Sequence, residues 1–507
     1  MKFVFRIPAR ASDTERRERE KVFFIPAKYY DNLLFWLFKR KWLWIATFAG
    51  LTAALLPSPQ GLNPYAQYSL ALAFFATIVI ATEPIPLPAV AFIVVVMQVL
   101  LGLSQPDEVP KSVMSDAIFF IFGSMMLAVA IVKQHLDKRL AYLLLVLSGA
   151  DVYYMAFYLM ACSAFLSSLI GAYAVPMILL PIALSMVQPG PHAKPSHADR
   201  NVGFLMLTVV YGCSVGTMGT PSGGARNAMM LDYLNKLFHI HVSYREWMFY
   251  VYPILLVMVP VLYWVLRLSY PIDHRNISRA MVRLRSELAT EGKMQPRDWG
   301  AVGIYGVTLF LWMFYSEHLG LGIPAFIGIA LYLITGLITW NELNSGVNWG
   351  IIFIFAAFIS LGISLKETGA TDWAARQFLG FLGQFGVEQG LPLLMAISGL
   401  VILMVNAIGA PPAIATLGPI VLDVARLSDM NILIAGLFCL ICSALPPLTL
   451  IGSPATMIAY SSGYLSLQDV WRIGWKMLLA AMGVLFLMVL VYWGWLDVIR
   501  VGLPGTA

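Results

Sequence analysis

The sequence predicts an all-α polytopic membrane protein, with about 11 transmembrane helices plus two re-entrant hairpins arranged as an inverted repeat. Three observations carry that expectation. Of the 507 residues 59% are hydrophobic and only 12% charged, against roughly 25% charged in soluble domains. Apolar stretches of spanning length recur from Trp42 to Trp495. Two further apolar segments, 152–187 and 391–424, are interrupted by glycine and proline. Such broken backbone is tolerated at membrane depth where protein or water surrounds it.

The elements follow in order. Residues 1–41 form a basic segment holding eleven of the 33 Lys and Arg residues. It has no apolar core before a small-residue cleavage site, so no cleavable signal is expected and the amino terminus stays cytoplasmic. The first span lies near 42–57, and with its loop it occupies 42–66. A first repeat, 67–266, contains spans near 67–82, 89–103 and 117–133, the hairpin 152–187, and spans near 203–218 and 247–266. The linker 267–298 carries seven basic residues from Arg267 to Arg297 and is also expected in the cytoplasm. Two cytoplasmic ends require an even number of crossings between them, and six satisfy that test. A second repeat, 299–496, contains spans near 299–318, 323–339 and 350–365, the hairpin 391–424, spans near 432–460 and 474–496, and then a tail, 497–507. The net charge of +6 resides largely in these flanks, so the expected partner is the lipid bilayer of a plasma or bacterial inner membrane, and no nucleic acid is implied.

The second half repeats the first at residue level. Ile118 to Phe122 reads IFFIF and Ile351 to Phe355 reads IIFIF, with Lys133 and Lys366 each eleven residues beyond the closing Phe. Ile170-Gly171-Ala172 precedes Pro181 by the same spacing as Ile408-Gly409-Ala410 precedes Pro419. Gly219-Thr220-Pro221 and Gly452-Ser453-Pro454 then mark a broken helix in each copy. With the first span set aside each copy has five crossings, an odd number, so the copies face opposite ways. Secondary transporters use that arrangement to expose one midplane site to either side in turn.

Catalytic chemistry is not expected. His135, His192, His197, His239, His241, His274 and His318 are scattered, and His239 with His241 lacks the carboxylate and third ligand of a catalytic metal site. Cys162, Cys213, Cys439 and Cys442 lie in apolar surroundings and read as packing residues. No cofactor is needed, and the protein is not expected to be an enzyme.

The order of motifs resembles the divalent anion/sodium symporter family, whose members carry di- and tricarboxylates or sulfate, usually with sodium. Thr82 to Pro88 (TEPIPLP) looks like that family's lead-in to its third span, and Phe122 to Ala128 (FGSMMLA) like its fourth. The hairpins and the broken-helix triplets fall in the matching order, over roughly 67–496. The resemblance implies a homodimer working by an elevator-like motion. One departure stands out. Where family hairpin tips usually carry Ser-Asn-Thr, this chain reads Gly171-Ala172-Tyr173 and Gly409-Ala410-Pro411. A hard cation wants several close oxygens, and the tips offer mainly backbone carbonyls. Ser167, Gly219 and Asn406 are the candidates left for sodium, the one coupling ion the resemblance implies. Anion binding survives the change better, because glycine permits close backbone approach and half-helix amino ends attract anions.

Arg226, in Gly-Gly-Ala-Arg-Asn after the first broken-helix triplet, is the most informative charge. A guanidinium near the midplane is unfavourable unless it faces a cavity or a partner, and it binds carboxylate or sulfate through paired hydrogen bonds. The competing readings are snorkelling to the interface and neutralisation by Asp232. With Arg226, the candidate substrate ligands are Gly171, Ala172, Tyr173, Asn227, Gly409, Ala410, Pro411, Ser453, Pro454 and Thr456. Ser222 is a further polar neighbour. Polar groups beside broken helices also serve simply to satisfy freed backbone bonds. Lys133 and Lys366 read as helix anchors rather than ligands, and Glu83 reads better as a solvated helix end than as a proton relay.

The function expected is secondary active transport of a di- or tricarboxylate or sulfate by alternating access. Proton coupling or anion exchange is the alternative to sodium. The rival from another class is a transport-deficient membrane scaffold or assembly protein on the same fold. A channel is less attractive, since no continuous polar pore is marked.

Overall fold

Helix boundaries follow the punctuation of the sequence. The computed structural model describes residues 40–134, 136, 139, 151–187, 200–272 and 294–496. Nearly all of the basic segment 1–41, most of the linker 267–298 and all of the tail 497–507 lie outside the described residues, as do His135, His192, His197 and His274. The chain opens with α1 (Lys41–Leu55). Asn63 then caps α2 (Pro64–Thr82) by accepting the Tyr65 amide at 2.6 Å, with proline in the first position where its missing N–H costs nothing. Next come α3 (Leu87–Leu100), the short α4 (Glu108–Val113), α5 (Asp116–Lys133) and α6 (Val152–Val187). The first repeat closes with α7 (Arg200–Gly216), α8 (Ala225–Phe238) and α9 (Tyr244–Ser269), the last opened by a reciprocal Ser243/Glu246 cap.

The same order returns in α10 (Pro296–Leu319), α11 (Gly322–Ile334), α12 (Trp340–Gly346) and α13 (Trp349–Glu367). It continues with α14 (Ala370–Gly383), α15 (Gly390–Ile408), α16 (Ala410–Leu427), α17 (Ile432–Ser443), α18 (Pro454–Ser461) and α19 (Leu467–Met488). Among the described residues nine helices are long and apolar enough to cross a bilayer. Four shorter apolar helices, α1, α3, α11 and α17, fall where further spans were expected. The structure is all-α and multi-pass, as the composition predicts. Two differences from expectation stand out. The expected span 432–460 is two helices, because α17 stops at Ser443 and α18 starts at Pro454. The amphipathic α14 had no expected counterpart, because its short charged sequence lacks the apolar run by which spans are recognised.

Helices of the two halves of the chain interleave. Asp116 at the start of α5 accepts the amides of Leu321 and Gly322, each at 2.9 Å, and Gln134 just past its end donates to the Leu337 carbonyl. The helices α5 and α11 therefore run side by side in one direction. A Cβ added at Gly123 would lie 2.4 Å from that of Ala325, so glycine is what allows this approach. The pair α3 and α13 is also parallel. Phe92 meets Phe353 with ring centroids 5.5 Å apart, and further along Gln98 accepts the hydroxyls of Ser360 and Ser364 at 2.9 and 3.0 Å. Pro88 at the start of α3 packs on Gly350, while Phe122, within α5, packs on Trp349 at 5.1 Å and Val129 lies against Gly346. Thus the start of α3 and Phe122 of α5 both meet the amino end of α13, and Val129 further along α5 meets the end of α12.

The two interrupted segments share one backbone device. Within α6 the chain breaks at Gly171 (φ 81°, ψ 172°), and α15 meets α16 at Gly409 (φ 88°, ψ 159°). That region is open to glycine and strained for any other residue. Each tip leans on the broken helix of its own repeat: an added Cβ would lie 3.4 Å from the Gly223 carbonyl at one tip and 3.4 Å from the Ile451 carbonyl at the other. Three residues before each glycine a backbone carbonyl accepts a threonine hydroxyl, Ser168 from Thr220 and Asn406 from Thr449.

Candidate functional site

Between the hairpin tips lies a cavity of about 490 Å³. Its floor is the first tip, Gly171-Ala172-Tyr173, and the break from Pro221 to Arg226; Ala410, Pro411 and Pro454 reach it from the second repeat. Of the residues singled out by sequence, these are the ones the fold brings together. The ring of Tyr173 is 47% exposed there, available to a bound molecule.

Arg226 supplies the charge. It stands second in α8, whose cap residue Gly224 offers no side-chain acceptor to the first amides. A cation at a helix amino end opposes the macrodipole, so the placement does nothing for the helix; it concentrates positive potential where those amides also point. One guanidinium nitrogen donates to the Thr217 hydroxyl, and Nε is buried without a partner. Among the described residues no carboxylate pairs with Arg226. Asp232, weighed above as its neutraliser, instead pairs with Lys236 at 3.0 Å.

Other candidates lie elsewhere. Asn227 is buried and donates to the carbonyls of Thr217 at 2.7 Å and Thr220 at 2.8 Å, satisfying backbone freed by the break, and it does not line the cavity. Ser453 accepts from Ser214 at 3.1 Å across the two repeats, and Thr456 is buried with its hydroxyl unpartnered; both are outside the cavity, as is Gly409. Ser222 lines it, held by Tyr244 at 3.1 Å. The sodium candidates do not converge. Asn406 spends its carbonyl oxygen on the amides of Leu448 (2.7 Å) and Thr449 (3.1 Å) and its amino group on Ile402 (2.9 Å). Ser167 is buried with a free hydroxyl in the other repeat, and Gly219 is packed under Leu255 and Ser168. None of the three lines the cavity. Among the described residues no group of His, Cys, Asp and Glu is arranged to hold a metal ion.

Two lysines that occupy equivalent sequence positions have different surroundings. Lys366 is tied to the fully buried Asp423, which also takes the Thr371 hydroxyl at 2.5 Å and Arg426 at 3.1 Å. Lys133 is half exposed, pairs loosely with Glu342 at 3.8 Å, and lines the cavity. Its span-end position concealed that role, since basic residues at span ends usually only anchor. Glu83 caps α2 in a left-handed conformation and is exposed, as a helix end would be.

Interrupted helices around a cavity in a multi-pass α-helical body are the arrangement in which secondary transporters bind their substrates. The comparisons specify which. The family model described as the sodium:sulfate symporter transmembrane region matches residues 39–499, and the chain belongs to that family. It is 24% identical over 453 residues to an uncharacterized transporter of Haemophilus influenzae, covering 85% of this chain and 93% of that one. It is 23% identical to the sodium-dependent dicarboxylate transporter SdcS of Staphylococcus saprophyticus (86% and 88% covered) and 23% identical to the citrate/succinate antiporter of Escherichia coli (87% and 94%). The solved structure of MtrF from Neisseria gonorrhoeae, described as illuminating a class of antimetabolite efflux pumps, superposes with a TM-score of 0.54 at 12% identity over 92% of this chain and 100% of that one, a likeness of fold.

Proposed function

We propose that the protein is a secondary active transporter of small organic or inorganic anions, of the di- or tricarboxylate or sulfate class, working by alternating access between two inverted repeats. The observation that carries this is the Arg226 guanidinium, facing a cavity between both hairpin tips with no carboxylate among the described residues to neutralise it. A buried or half-buried cation without a counterion is costly, and a substrate carboxylate or sulfate removes that cost. Inversion is supported by helix direction. If successive spans alternate, the parallel pairs α5 with α11 and α3 with α13 make the equivalent helices, α3 with α11 and α5 with α13, antiparallel.

Coupling by anion exchange fits the site better than coupling by sodium. The tips lack side-chain oxygens apart from the Tyr173 phenol, and the side-chain oxygen of Asn406 is already engaged. A fixed guanidinium that must always be neutralised returns empty at a penalty and returns loaded without one, which favours obligatory exchange. The citrate/succinate antiporter among the relatives gives a precedent. The same reading takes the protein to be a homodimer of a plasma or bacterial inner membrane, with the eleven basic residues of the amino-terminal segment supporting a cytoplasmic start. The test is uptake into proteoliposomes. Labelled anion should enter vesicles preloaded with the same anion, with or without sodium at fixed voltage. Uptake that needs a sodium gradient and no internal anion would overturn exchange.

A further inference from the structure

The walls of the cavity carry more information than its floor. Met125, Ala128 and Val129 of α5 and Ile170, Met177 and Ile178 of α6 line it with hydrocarbon. Val347, Ile351, Phe355 and Pro411 add further hydrocarbon from the second half of the chain. The polar side chains are outnumbered by hydrocarbon, and several are engaged: the Thr217 hydroxyl accepts from Arg226, Ser222 is bonded to Thr220 and Tyr244, Ser345 donates to the Glu342 carbonyl and Asn348 accepts the Ile351 amide, while Ser124 keeps an unpartnered hydroxyl and the Tyr173 phenol is exposed. Positive charge is supplied by Arg226 with the amino end of α8 and by the half-exposed Lys133 at the end of α5.

Such a shape is poorly matched to sulfate or an unsubstituted dicarboxylate. Small hydrophilic dianions lose water on every side when they bind, and each lost hydrogen bond that the protein does not replace is a penalty. An apolar wall gives nothing back to them. It does reward hydrocarbon, and a cavity of about 490 Å³ falls in the range that encloses a molecule larger than succinate.

Resting on the anion-transport reading above, we propose that the substrate is an organic anion with a carboxylate head for Arg226 and a hydrocarbon body for the α5 and hairpin wall, preferred over succinate and sulfate. Phenylsuccinate is a suitable probe, since it adds one ring to succinate. The experiment measures binding of phenylsuccinate, succinate and sulfate to the full chain in lipid nanodiscs, with protein-free nanodiscs correcting for partition into lipid. Phenylsuccinate should bind at least about tenfold more tightly than succinate, the scale set by burying one aromatic ring. Its binding should be lost in Arg226→Ala and weakened in Arg226→Lys, which keeps the charge without the fork. In Met125→Gln, which keeps the length of the side chain and removes its apolar character, the ratio between phenylsuccinate and succinate should fall several-fold.

Equal or tighter binding of succinate or sulfate that still depends on Arg226 overturns the substrate class and leaves the anion site standing. Tight phenylsuccinate binding that survives Arg226→Ala overturns the placement of the head. If none of the three anions binds in an Arg226-dependent way, the site and the transport reading both fall.

Discussion

The two hairpin regions have nearly the same backbone and very different chemistry. Gly171 and Gly409 adopt matching conformations, and each tip leans on its own broken helix at the same distance. Beyond the tips the repeats part. The first break carries Arg226 into the cavity. The second has only alanine in its place, Ala459 counting from the Gly-x-Pro triplet or Ala455 counting from the helix start, and both are fully buried. Asn406 meanwhile spends its side chain stitching the second break together. The difference teaches that the same glycine break can occur with a cavity-facing guanidinium in one half of the chain and with buried alanine in the other.

The largest effect should come from attacking what the copies share. Gly171→Val and Gly409→Val each place a β-branched residue in a glycine-only region, at about 1–3 kcal/mol each. The pair should add, since the strain is local to each tip. Thermal melts of the single and double variants check this, and a drop at only one tip would break the equivalence of the two.

Next in size are changes at the position three residues before each tip. Asn406→Ala leaves the amides of Leu448 and Thr449 without their acceptor and should destabilise by about 1–3 kcal/mol. Ser168→Ala removes only a hydroxyl bonded locally to the Phe165 carbonyl at 2.7 Å and should cost less than about 1 kcal/mol. Chemical or thermal denaturation in lipid resolves the two. A larger loss at Ser168 would show that the first hairpin, too, depends on this position.

Much of this was legible in the sequence. The alternation of apolar runs with Gly, Pro and charge marked most of the long apolar helices, and the paired spacings around Pro181 and Pro419 pointed to the two segments that break at Gly171 and Gly409. Arg226 was visible because one charge in a long apolar stretch needs a reason. What stayed hidden depends on partners distant in sequence. Asn227 and Ser453 look like ligands in one dimension, yet Asn227 serves carbonyls at 217 and 220, and Ser453 meets Ser214 across the repeats. Lys133 looks like an anchor until α12 and α13 bring the rest of the wall beside it.

The smallest effect concerns the loose pair that separates the two lysines. The Thr339 amide and then its hydroxyl hold the Glu342 carboxylate below the usual glutamate range. Because its folded value is depressed, the cap contributes fully above the ordinary glutamate pKa of about 4.3 and is lost as pH falls through the lower, folded value. The Lys133 contact should accordingly persist at pH 5 and loosen only in more acid solution. Glu342→Gln should leave melting nearly unchanged while raising the apparent affinity for anions, because Lys133 is then without its competitor. Unchanged affinity would return Lys133 to a purely anchoring role.

The most direct measurement is counterflow of labelled anion in proteoliposomes containing either the unaltered chain or Arg226→Ala, scored beside the melting temperature of each in the same lipid. Charge recognition by Arg226 predicts a folded variant whose melting no longer responds to anion and whose exchange is abolished. Exchange that continues undiminished in folded Arg226→Ala protein would contradict it.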